Sequence, residues 1–566
     1  MKGAFTFVLH SHLPYVRKAG RWPHGEEMVH EAIAETYIPL LNALFELKDA
    51  GCQPRLTIGL TPILLEQLAD ADVLAHFELY LLEKITLVEA DLKRHQESNH
   101  GHLQYLARFY LDWYTDILRS FTERYGRNLV AAFRQLQDEG NLDIITSAAT
   151  HGYLPLMERD STISAQLKVG RDAYRKRLGR APRGVWLPEC GYRPAYMQDG
   201  TYKPGIEEFL AEADLGYFFT DTHVIVGGQL VGKVAGDVIG PYGNMPKRKL
   251  VLHADERPEA KERTTMRPYY VRSVDVAVFG RDERTGLQVW SAAHGYPGDY
   301  VYREFHRKDS NSGLQYWRIT GAQVDLGQKD FYDPHPAMNQ VQMHADHFVS
   351  IISDEVSQYH ASTGNPGIVV SAYDTELFGH WWFEGVTWLK EVLRRLDKSE
   401  TVQLMTAGDY VQAYPPDEVI TLPESSWGQG GGHWTWLNPD TEWMWPLIHS
   451  AERRMEQLVA SHPQAKGELR KVLNQAAREL LLLESSDWPF LISTGQAKEY
   501  AGGRFQQHLA RFSHLASMAD AGLSTELNRH FVDNIVDLDN PFPTIDYRDF
   551  AAREQGDLAA LEKSTV

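Results

Sequence analysis

The sequence predicts an α/β fold in which a parallel sheet is closed, or nearly closed, into a barrel. Short apolar runs alternate with helical patterns through most of the first 430 residues, as parallel β-α-β units do. A long helical stretch from about 62 to 136 interrupts this alternation, and amphipathic helices follow from about 442 to 534. We therefore expect a barrel domain over residues 1–430, with a helical insertion at about 62–136, and a helical domain over 431–566.

The strands and helices can be assigned in order from the apolar patterns. We predict strands at about 4–9, 56–60, 142–147, 184–187, 216–221, 286–290, 368–373 and 402–406. The clearest helices between them are predicted at about 31–47, 161–178, 205–214 and 338–360. A glycine-rich and then charged stretch from about 226 to 267 has no such pattern, and the last ~30 residues resemble a weakly ordered tail.

Charge and cysteine content narrow the class of partner and the compartment. The 566 residues include 57 basic and 76 acidic side chains, a net charge of −19, which argues against nucleic acid or an anionic membrane as the main partner. A neutral substrate is compatible with that charge. With only Cys52 and Cys190, no signal-peptide pattern and no apolar run of ~18 residues, we expect a cytoplasmic protein without a disulfide framework.

Glu189 follows a predicted strand in the stretch 184–192, which reads Gly-Val-Trp-Leu-Pro-Glu-Cys-Gly-Tyr. The proline ends regular structure, and the glycine allows a sharp turn, so the carboxyl is presented at a strand end. Functional residues gather at the carboxyl ends of parallel strands. Trp186 and Tyr192 are predicted to frame Glu189 with aromatic rings, as in a sugar site. A structural acid at a helix start is the alternative, and Cys190 lacks the basic neighbours of a nucleophilic thiol.

Asp374 follows a second buried strand in the same way. An apolar run from Ile368 leads to Asp374, and glycine, histidine and two tryptophans follow within eight residues. Two acids at two strand ends make a carboxylate pair possible. Glycoside hydrolysis needs such a pair, one acid to protonate the leaving oxygen and one to act as base or nucleophile.

Three histidines also fall at predicted strand ends: His10, His12 and His151. The spacing of His10 and His12 places them on one face of a strand and also suits a metal ion, so a metal-dependent hydrolase or deacetylase is the rival enzyme class. The sequence lacks the accompanying His-Glu-x-x-His or Asp-Asp motifs. We therefore expect the three histidines to be neutral hydrogen-bond partners for sugar hydroxyls, with a structural role as the alternative.

Aromatic and polar residues elsewhere are further candidates for substrate binding. Trp290, Trp427 and Trp436 can stack on sugars, with core packing as the alternative; the loop around Trp427 is so rich in glycine that we expect no packed core there. Asp487 precedes a predicted helix, where it either caps the helix or reaches from the helical domain to the site. A non-catalytic glucan-binding protein would need these aromatics but not the acids.

Five short segments, in order, resemble the sequence regions that define glycoside hydrolase family 57. They are His10–Pro14, His151–Pro155, Trp186–Glu189, Tyr373–Trp381 and the tryptophan-rich block Trp427–Trp445. One segment would be weak support, but five in order across nearly the whole chain are specific. Val278–Asp282 and Tyr296–Asp299 are similar to the branching-enzyme subgroup more than to the amylases or 4-α-glucanotransferases. The charged stretch from about Lys247 to Arg263 is longer than expected for the family.

The resemblance implies an incomplete (β/α)7 barrel and a retaining transglycosylase that needs no metal or cofactor. Glu189 would be the nucleophile and Asp374 the general acid/base, with their carboxyls about 5–5.5 Å apart. The substrate would be an α-1,4-glucan such as amylose or glycogen, cut and re-attached as an α-1,6 branch with some hydrolysis. Such enzymes are similar in having a tyrosine-tipped loop over the site, and Tyr242 matches it here. An amylase or a 4-α-glucanotransferase remains the alternative within the family.

Overall fold

The computed structural model describes residues 1–21, 23–227, 263–272, 274–291, 295–522 and 526–553. It also gives the backbone of two short paired strands, Ile239–Gly240 and Gly243–Asn244. Tyr242 and most of the charged stretch that begins at Lys247 lie outside the described residues.

Seven parallel strands form a ring at the centre of the fold. They are β1 (Gly3–Ser11), β2 (Leu56–Leu60), β3 (Leu142–Ile145), β4 (Gly184–Val185), β5 (Tyr217–Thr220), β6 (Ala277–Gly280) and β7 (Gly367–Asp374). Neighbours follow the order β7-β1-β2-β3-β4-β5-β6, with a single bridge between Thr146 and Val185 joining β3 to β4.

The ring is incomplete between β6 and β7. The described residues form no ladder there, but the Asp282 N–H donates to the Val370 carbonyl at 2.9 Å. The predicted incomplete seven-stranded barrel is therefore confirmed. The predicted strand at 402–406 is present as Val402–Leu404, which pairs with the first residues of β1 on the edge that pairs with β2 further along. Four further short strands are Tyr196–Gln198, Thr201–Lys203, Tyr269–Val271 and Val419–Ile420.

Helices surround the ring and fill the predicted insertion. The insertion consists of Pro62–Leu68, Ala71–Glu97, Gly101–Arg119 and Leu129–Asp138. The other helices of the barrel region are Glu26–Ala32, Ile38–Asp49, Asp160–Leu178, Ile206–Glu212, Thr222–Val226, Glu283–Trp290, Pro334–Thr363, Gly385–Leu396 and Ala407–Ala413. A π-helical turn, Ile33–Tyr37, joins the first two of these barrel helices.

The predicted strand at 286–290 is wrong, because these residues end the helix Glu283–Trp290. The side chain of Asp282 caps that helix by accepting from the Thr285 N–H at 2.8 Å. Five residues are too few to separate a strand from a buried helix by periodicity alone. The strand at this point of the ring is β6, ten residues earlier in the chain.

Alternation along the strands determines which side chains enter the barrel. Ala4 and Val8 of β1 belong to the same interior cluster as Val370 and Ala372 of β7, while their odd-numbered neighbours on β1 pack outward. His10 continues the inward row of β1 and Asp374 continues that of β7. The two residues are register partners, so the pattern brings them to the same end of the barrel.

Five helices after the barrel form one core with the loops at its carboxyl end. They are Met444–Ser461, Gly467–Leu483, Asp487–Thr494, Lys498–Ala521 and Glu526–Leu538. Their cluster includes Tyr15 and Tyr153 from the barrel loops and Tyr547 and Phe550 near the end of the chain. The predicted weakly ordered tail is thus wrong up to residue 553, since these late aromatics are buried. Among the described helices, none is long and apolar enough to cross a membrane.

Candidate active site

Glu189 lies on a sharp turn beyond β4. Its backbone has φ 60° and ψ 24°, Cys190 follows with φ 50°, and His151, at the end of the neighbouring strand, has φ 57°. A positive φ is uncommon for residues with a side chain and costs energy that the surrounding structure must supply. Three such residues at two adjacent strand ends mark this part of the barrel as a functional site.

Two donors hold the Glu189 carboxyl. The Trp427 indole N–H donates to Oε2 at 2.7 Å, and the Ser486 hydroxyl donates to Oε1 at 3.0 Å. Burial raises the pKa of Glu189, while the bonds from Trp427 and Ser486 and the charge of His12 act against that rise. These donors favour the ionised carboxylate, the form that a nucleophile requires.

Asp374 occupies the inward position at the end of β7, and the two charged neighbours with the largest effect on it are acids. Burial, followed by the charges of Glu376 and Glu189, raises the pKa of Asp374 to about 8. Asp374 is therefore protonated at neutral pH, as a general acid must be before it acts. The effect of Glu189 on this pKa also places the two carboxyls within electrostatic reach of each other.

His10 and His151 connect the barrel interior to the segment that carries Ser486. The His10 Nε2 lies 3.1 Å from the His151 Nε2, and the His151 Nδ1 lies 2.9 Å from the Ser486 Oγ. Burial, with the charge of His12 as the second cause, holds the pKa of both His10 and His151 well below the usual range. Both rings are thus neutral, as the sequence predicts.

His12 differs from His10 and His151 in the direction of its pKa shift. Its Nε2 lies 3.1 Å from the Asp487 carboxylate, and its Nδ1 lies 3.1 Å from the Thr61 hydroxyl. Burial lowers the pKa of His12, but the charge and hydrogen bond of Asp487 more than offset it, and the net shift is upward. Asp487 therefore reaches from the helical domain into the site, and its carboxylate favours the protonated form of His12.

Glu376 is the main residue that sequence reasoning missed. It lies two residues beyond Asp374 on the 3-10 turn Thr375–Leu377, and the Tyr37 hydroxyl donates to its Oε1. Burial raises the pKa of Glu376 to about 7, against the bond from Tyr37. The sequence feature that could have identified Glu376 is its position as a second acid, two residues after Asp374, at the end of the same strand. Ser486, next to Asp487, was missed as well, whereas nothing in the sequence marks Tyr37.

Gly379 allows the segment that contains Tyr37 to pack closely against the residues that follow Asp374. Gly379 has φ +99°, and a Cβ at that position would lie 1.9 Å from the Glu35 carbonyl oxygen. Glu35 and Tyr37 both belong to the π-helical turn, and the Glu35 carboxyl lies 2.6 Å from the His380 Nδ1. Single π-helical turns are frequent at functional sites. Here the turn brings Tyr37 to Glu376.

Of the aromatic residues predicted near Glu189, Trp427 contacts its carboxyl, Trp186 packs against Trp427, and Tyr192 packs elsewhere. Trp186 stacks on His10 with ring centroids 4.9 Å apart, and Trp427 meets Trp186 edge-on at 5.2 Å. Tyr192, predicted to frame Glu189, instead stacks on Phe218 and donates to the Glu207 carboxylate at 2.7 Å. Tyr192 turns away from Glu189 because its backbone pairs with that of Ser425.

Trp436 and Trp290 lie in different surroundings from those expected. Trp436 is buried and stacks on Tyr153 at 4.4 Å, so the argument that its glycine-rich loop lacks a packed core is wrong. Trp290 ends a helix, is 39% exposed and lies 6.4 Å from the Tyr373 ring, next to Asp374. The binding roles of both tryptophans, like that of Tyr242, stay predictions.

One group of potential metal ligands is present in the described part of the chain, far from the strand ends in sequence. The ligand atoms of Glu479, His508 and Asp539 lie within 4.8 Å of one another. Arg511 pairs with Asp539, and Arg504 lies 3.1 Å from the His508 Nε2. Two guanidinium groups already occupy the positions around this cluster, which makes it an internal ion-pair network rather than a site for a cation.

Two sequence models together match almost the whole chain. The model of glycosyl hydrolase family 57 matches residues 6–423, and the model of the C-terminal region of 1,4-alpha-glucan branching enzymes matches residues 447–550. The second match contains Ser486 and Asp487, which contact Glu189 and His12.

The chain is also similar to characterised proteins over most of its length. It is 45% identical over 553 residues to a 1,4-alpha-glucan branching enzyme of Thermococcus kodakarensis, covering 96% of this chain and 78% of that protein. A crystal structure of the T. kodakarensis enzyme with glucose and additives covers 99% of this chain and 98% of its own, with a TM-score of 0.89 and 42% identity. The alpha-amylase AmyC from Thermotoga maritima gives a TM-score of 0.81 at 31% identity, covering 98% of this chain and 100% of its own. The chain belongs to glycosyl hydrolase family 57.

Proposed function

We propose that this protein is a 1,4-α-glucan branching enzyme. It would cut an α-1,4 linkage of an amylose- or glycogen-type glucan and transfer the released segment to a 6-hydroxyl as an α-1,6 branch, with some hydrolysis. The observation that carries the proposal is the contact of Ser486 with the Glu189 carboxyl. It joins the site to a region similar to branching enzymes.

In the first step Glu189 attacks the anomeric carbon as a carboxylate. A bond forms between that carbon and a Glu189 oxygen, the glycosidic carbon–oxygen bond breaks, and the leaving oxygen takes the proton of Asp374. In the second step a glucan 6-hydroxyl attacks the same carbon, gives its proton to Asp374 and displaces Glu189. Two inversions leave the α configuration unchanged.

Transfer requires that the acceptor hydroxyl reacts faster than water, which is present at ~55 M. Binding of the acceptor next to the ester provides the necessary effective concentration. Tyr242 is proposed to shield the ester and to guide the acceptor, on the basis of the family resemblance alone. If that role is wrong, the tryptophans of the loop from Trp427 to Trp436 are the next candidates. Tyr242→Ala would then leave the ratio of branching to hydrolysis unchanged.

An alpha-amylase is the second function to test, because the chain also resembles AmyC. The higher identity to a branching enzyme, 45% against 31%, favours transfer. Incubation with amylose, enzymatic debranching and chain-length analysis separate the two. New α-1,6 linkages, with little gain of reducing ends, are expected; a gain of reducing ends without any branch would identify an amylase. Glycogen synthesis and a cytoplasmic location are part of the same proposal.

A further inference from the structure

Glu376 is a buried acid beside the general acid/base with no role in the two-step reaction described above. It is 7% exposed and lies on the turn that directly follows Asp374. The turn is fixed on one side by the bond between Ser11 Oγ and Thr375 Oγ1, at 2.7 Å. On the other side, the Tyr37 hydroxyl donates to the Glu376 carboxyl. A buried carboxyl with such support keeps a defined position relative to Asp374.

We propose that Glu376 is a positioning residue for the proton of Asp374. Its carboxylate, held by Tyr37, opposes the ionisation of Asp374 through like-charge repulsion and thereby adds to the effect of burial in keeping the acid protonated. This inference rests on the proposed function only in so far as Asp374 is the acid of an α-glucan-cleaving reaction, whether the product is a branch or a free chain.

The repulsion would act in both steps of the reaction. In the first step the Asp374 O–H bond breaks and its proton passes to the leaving oxygen, so that two neighbouring carboxylates remain. In the second step this repulsion makes Asp374 a stronger base toward the acceptor hydroxyl, whose proton restores the starting state. No other reactant is needed, and above pH 7, where Glu376 is mostly ionised, the charge on the pair alternates between minus one and minus two.

The other charged groups around Asp374 act in both directions, and Glu376 has the largest effect of any charged neighbour. His12 and Arg281 favour the ionised form of Asp374, whereas Glu189 acts in the same direction as Glu376. Tyr37 is the side chain that favours ionised Glu376 most strongly, ahead of the charge of His12. Burial is the largest cause for both acids, giving a pKa of about 8 for Asp374 and about 7 for Glu376. Groups coupled this closely titrate as a pair.

The first experiment measures the pH dependence of kcat/KM in three variants. Loss of the amylose–iodine colour, read at one fixed pH after quenching, reports cleavage whether the segment is transferred or hydrolysed. In a plot of kcat/KM against pH, the alkaline limb is the decline at high pH, where Asp374 loses its proton. We expect Glu376→Gln to shift this limb to lower pH by about one unit or more. At pH 8 the kcat/KM of the variant would then be about tenfold below its own value on the acid plateau. Tyr37→Phe removes only the donor to Glu376, and a smaller shift in the same direction is expected.

Glu384→Gln is the matched control. Glu384 is also a fully buried acid, ten residues beyond Asp374, and its carboxyl accepts from the backbone N–H of Arg303 at 3.1 Å. Its variant is expected to leave the position of the alkaline limb unchanged. If Glu376→Gln fails to fold, as judged by circular dichroism, Tyr37→Phe still tests the proposal.

The second experiment removes the need for the proton. In an α-maltooligosyl fluoride the leaving group is fluoride ion, which departs without being protonated. The kcat/KM for that substrate therefore does not depend on Asp374 as an acid. We expect Glu376→Gln to retain its activity on the fluoride within about twofold at pH 8 while losing about tenfold on amylose. An equal loss on both substrates, or an alkaline limb that does not move, would overturn the proposal. Both experiments measure cleavage and not the formation of α-1,6 branches. The proposed function is tested separately, by whether such branches form.

Discussion

The ends of β4 and β7 carry the two acids of the site in opposite surroundings. Glu189 receives hydrogen bonds from Trp427 and Ser486, which stabilise a negative charge. Asp374 instead faces other carboxyl groups, which make a negative charge unfavourable. Both acids are buried, so burial alone cannot distinguish them. The neighbours support the proposed roles: hydrogen-bond donors suit Glu189 as the nucleophile, and nearby carboxyls suit Asp374 as the proton donor.

The two ends also differ in which part of the chain completes them. Ser486 comes from the helical domain, and its backbone N–H donates to the His151 carbonyl at 3.0 Å. The surroundings of Asp374 come from the barrel region alone, through Tyr37 and Glu376. We therefore expect changes in the helical domain to affect the nucleophile more than the acid.

The largest effect is expected at Glu189. Glu189→Gln removes the nucleophile but keeps its size, so cleavage of amylose is expected to fall by about 10⁴-fold or more, with amylose binding retained. Iodine colour and affinity electrophoresis measure the two properties. In Glu189→Ala, azide ion can occupy the space of the missing carboxylate and attack an α-maltooligosyl fluoride. This single displacement inverts the anomeric carbon, so the β-azide is the expected product. An active Glu189→Gln variant would place the nucleophile elsewhere.

Asp374→Asn is the next test, with an expected loss of about 10²- to 10⁴-fold on amylose. The α-maltooligosyl fluoride needs no proton, and its first step is expected to be affected far less. With azide, Asp374→Ala is expected to give the α-azide, the opposite anomer to that from Glu189→Ala. In the unaltered enzyme, kcat/KM is expected to decline as the pH rises through about 8, where Asp374 loses its proton. A rate that stays constant to pH 10 would contradict this assignment.

The acids and their strand ends could be predicted from the sequence because local patterns encode them. An apolar run, a proline or glycine and an acid fall within ten residues at both Glu189 and Asp374. The ring of parallel strands followed from the alternation of elements in the same way. The prediction of a strand at 286–290 was wrong because the side chain of Asp282 caps a helix there, and so short a segment carries no clear periodicity.

The supporting contacts could not be predicted, because they join residues far apart in the chain. Tyr37 and Glu376 are 339 positions apart, and Ser486 and Glu189 are 297 apart. No local pattern records such a pairing. The burial of Trp436 depends in the same way on Tyr153, which lies in another segment. Long-range partners therefore modify the pKa of Glu189, which burial alone would raise further.

Trp427→Phe tests the donor side of the comparison. An aromatic side chain is kept, but the indole N–H to Glu189 is lost together with part of the packing on Trp186. A hydrogen bond to a charged group is worth about 1.5–3 kcal/mol. Cleavage is expected to slow by about 10- to 100-fold if that bond is fully used in the reaction. Because the N–H lowers the pKa of Glu189, its loss raises that pKa, and the acidic limb of kcat/KM is expected to move to higher pH. The alkaline limb is expected to stay in place, and a shift there instead would contradict the separation of the two ends.

Ser486→Ala is the smallest change and tests whether the helical domain contributes to the nucleophile. One neutral donor to Glu189 is lost, at 3.0 Å, and about a fivefold decrease in kcat/KM is expected from a contribution of about 1 kcal/mol. The acidic limb is again expected to move to higher pH, by less than in Trp427→Phe, since Ser486 has the smaller effect on the pKa of Glu189. Ser493→Ala in the same helical domain serves as the control, because its hydroxyl accepts from Asn438 at 2.9 Å and does not contact Glu189. If Ser486→Ala and Ser493→Ala gave the same pH profile, the helical domain would act as a scaffold only, and the Glu189 carboxylate would depend on the barrel loops alone.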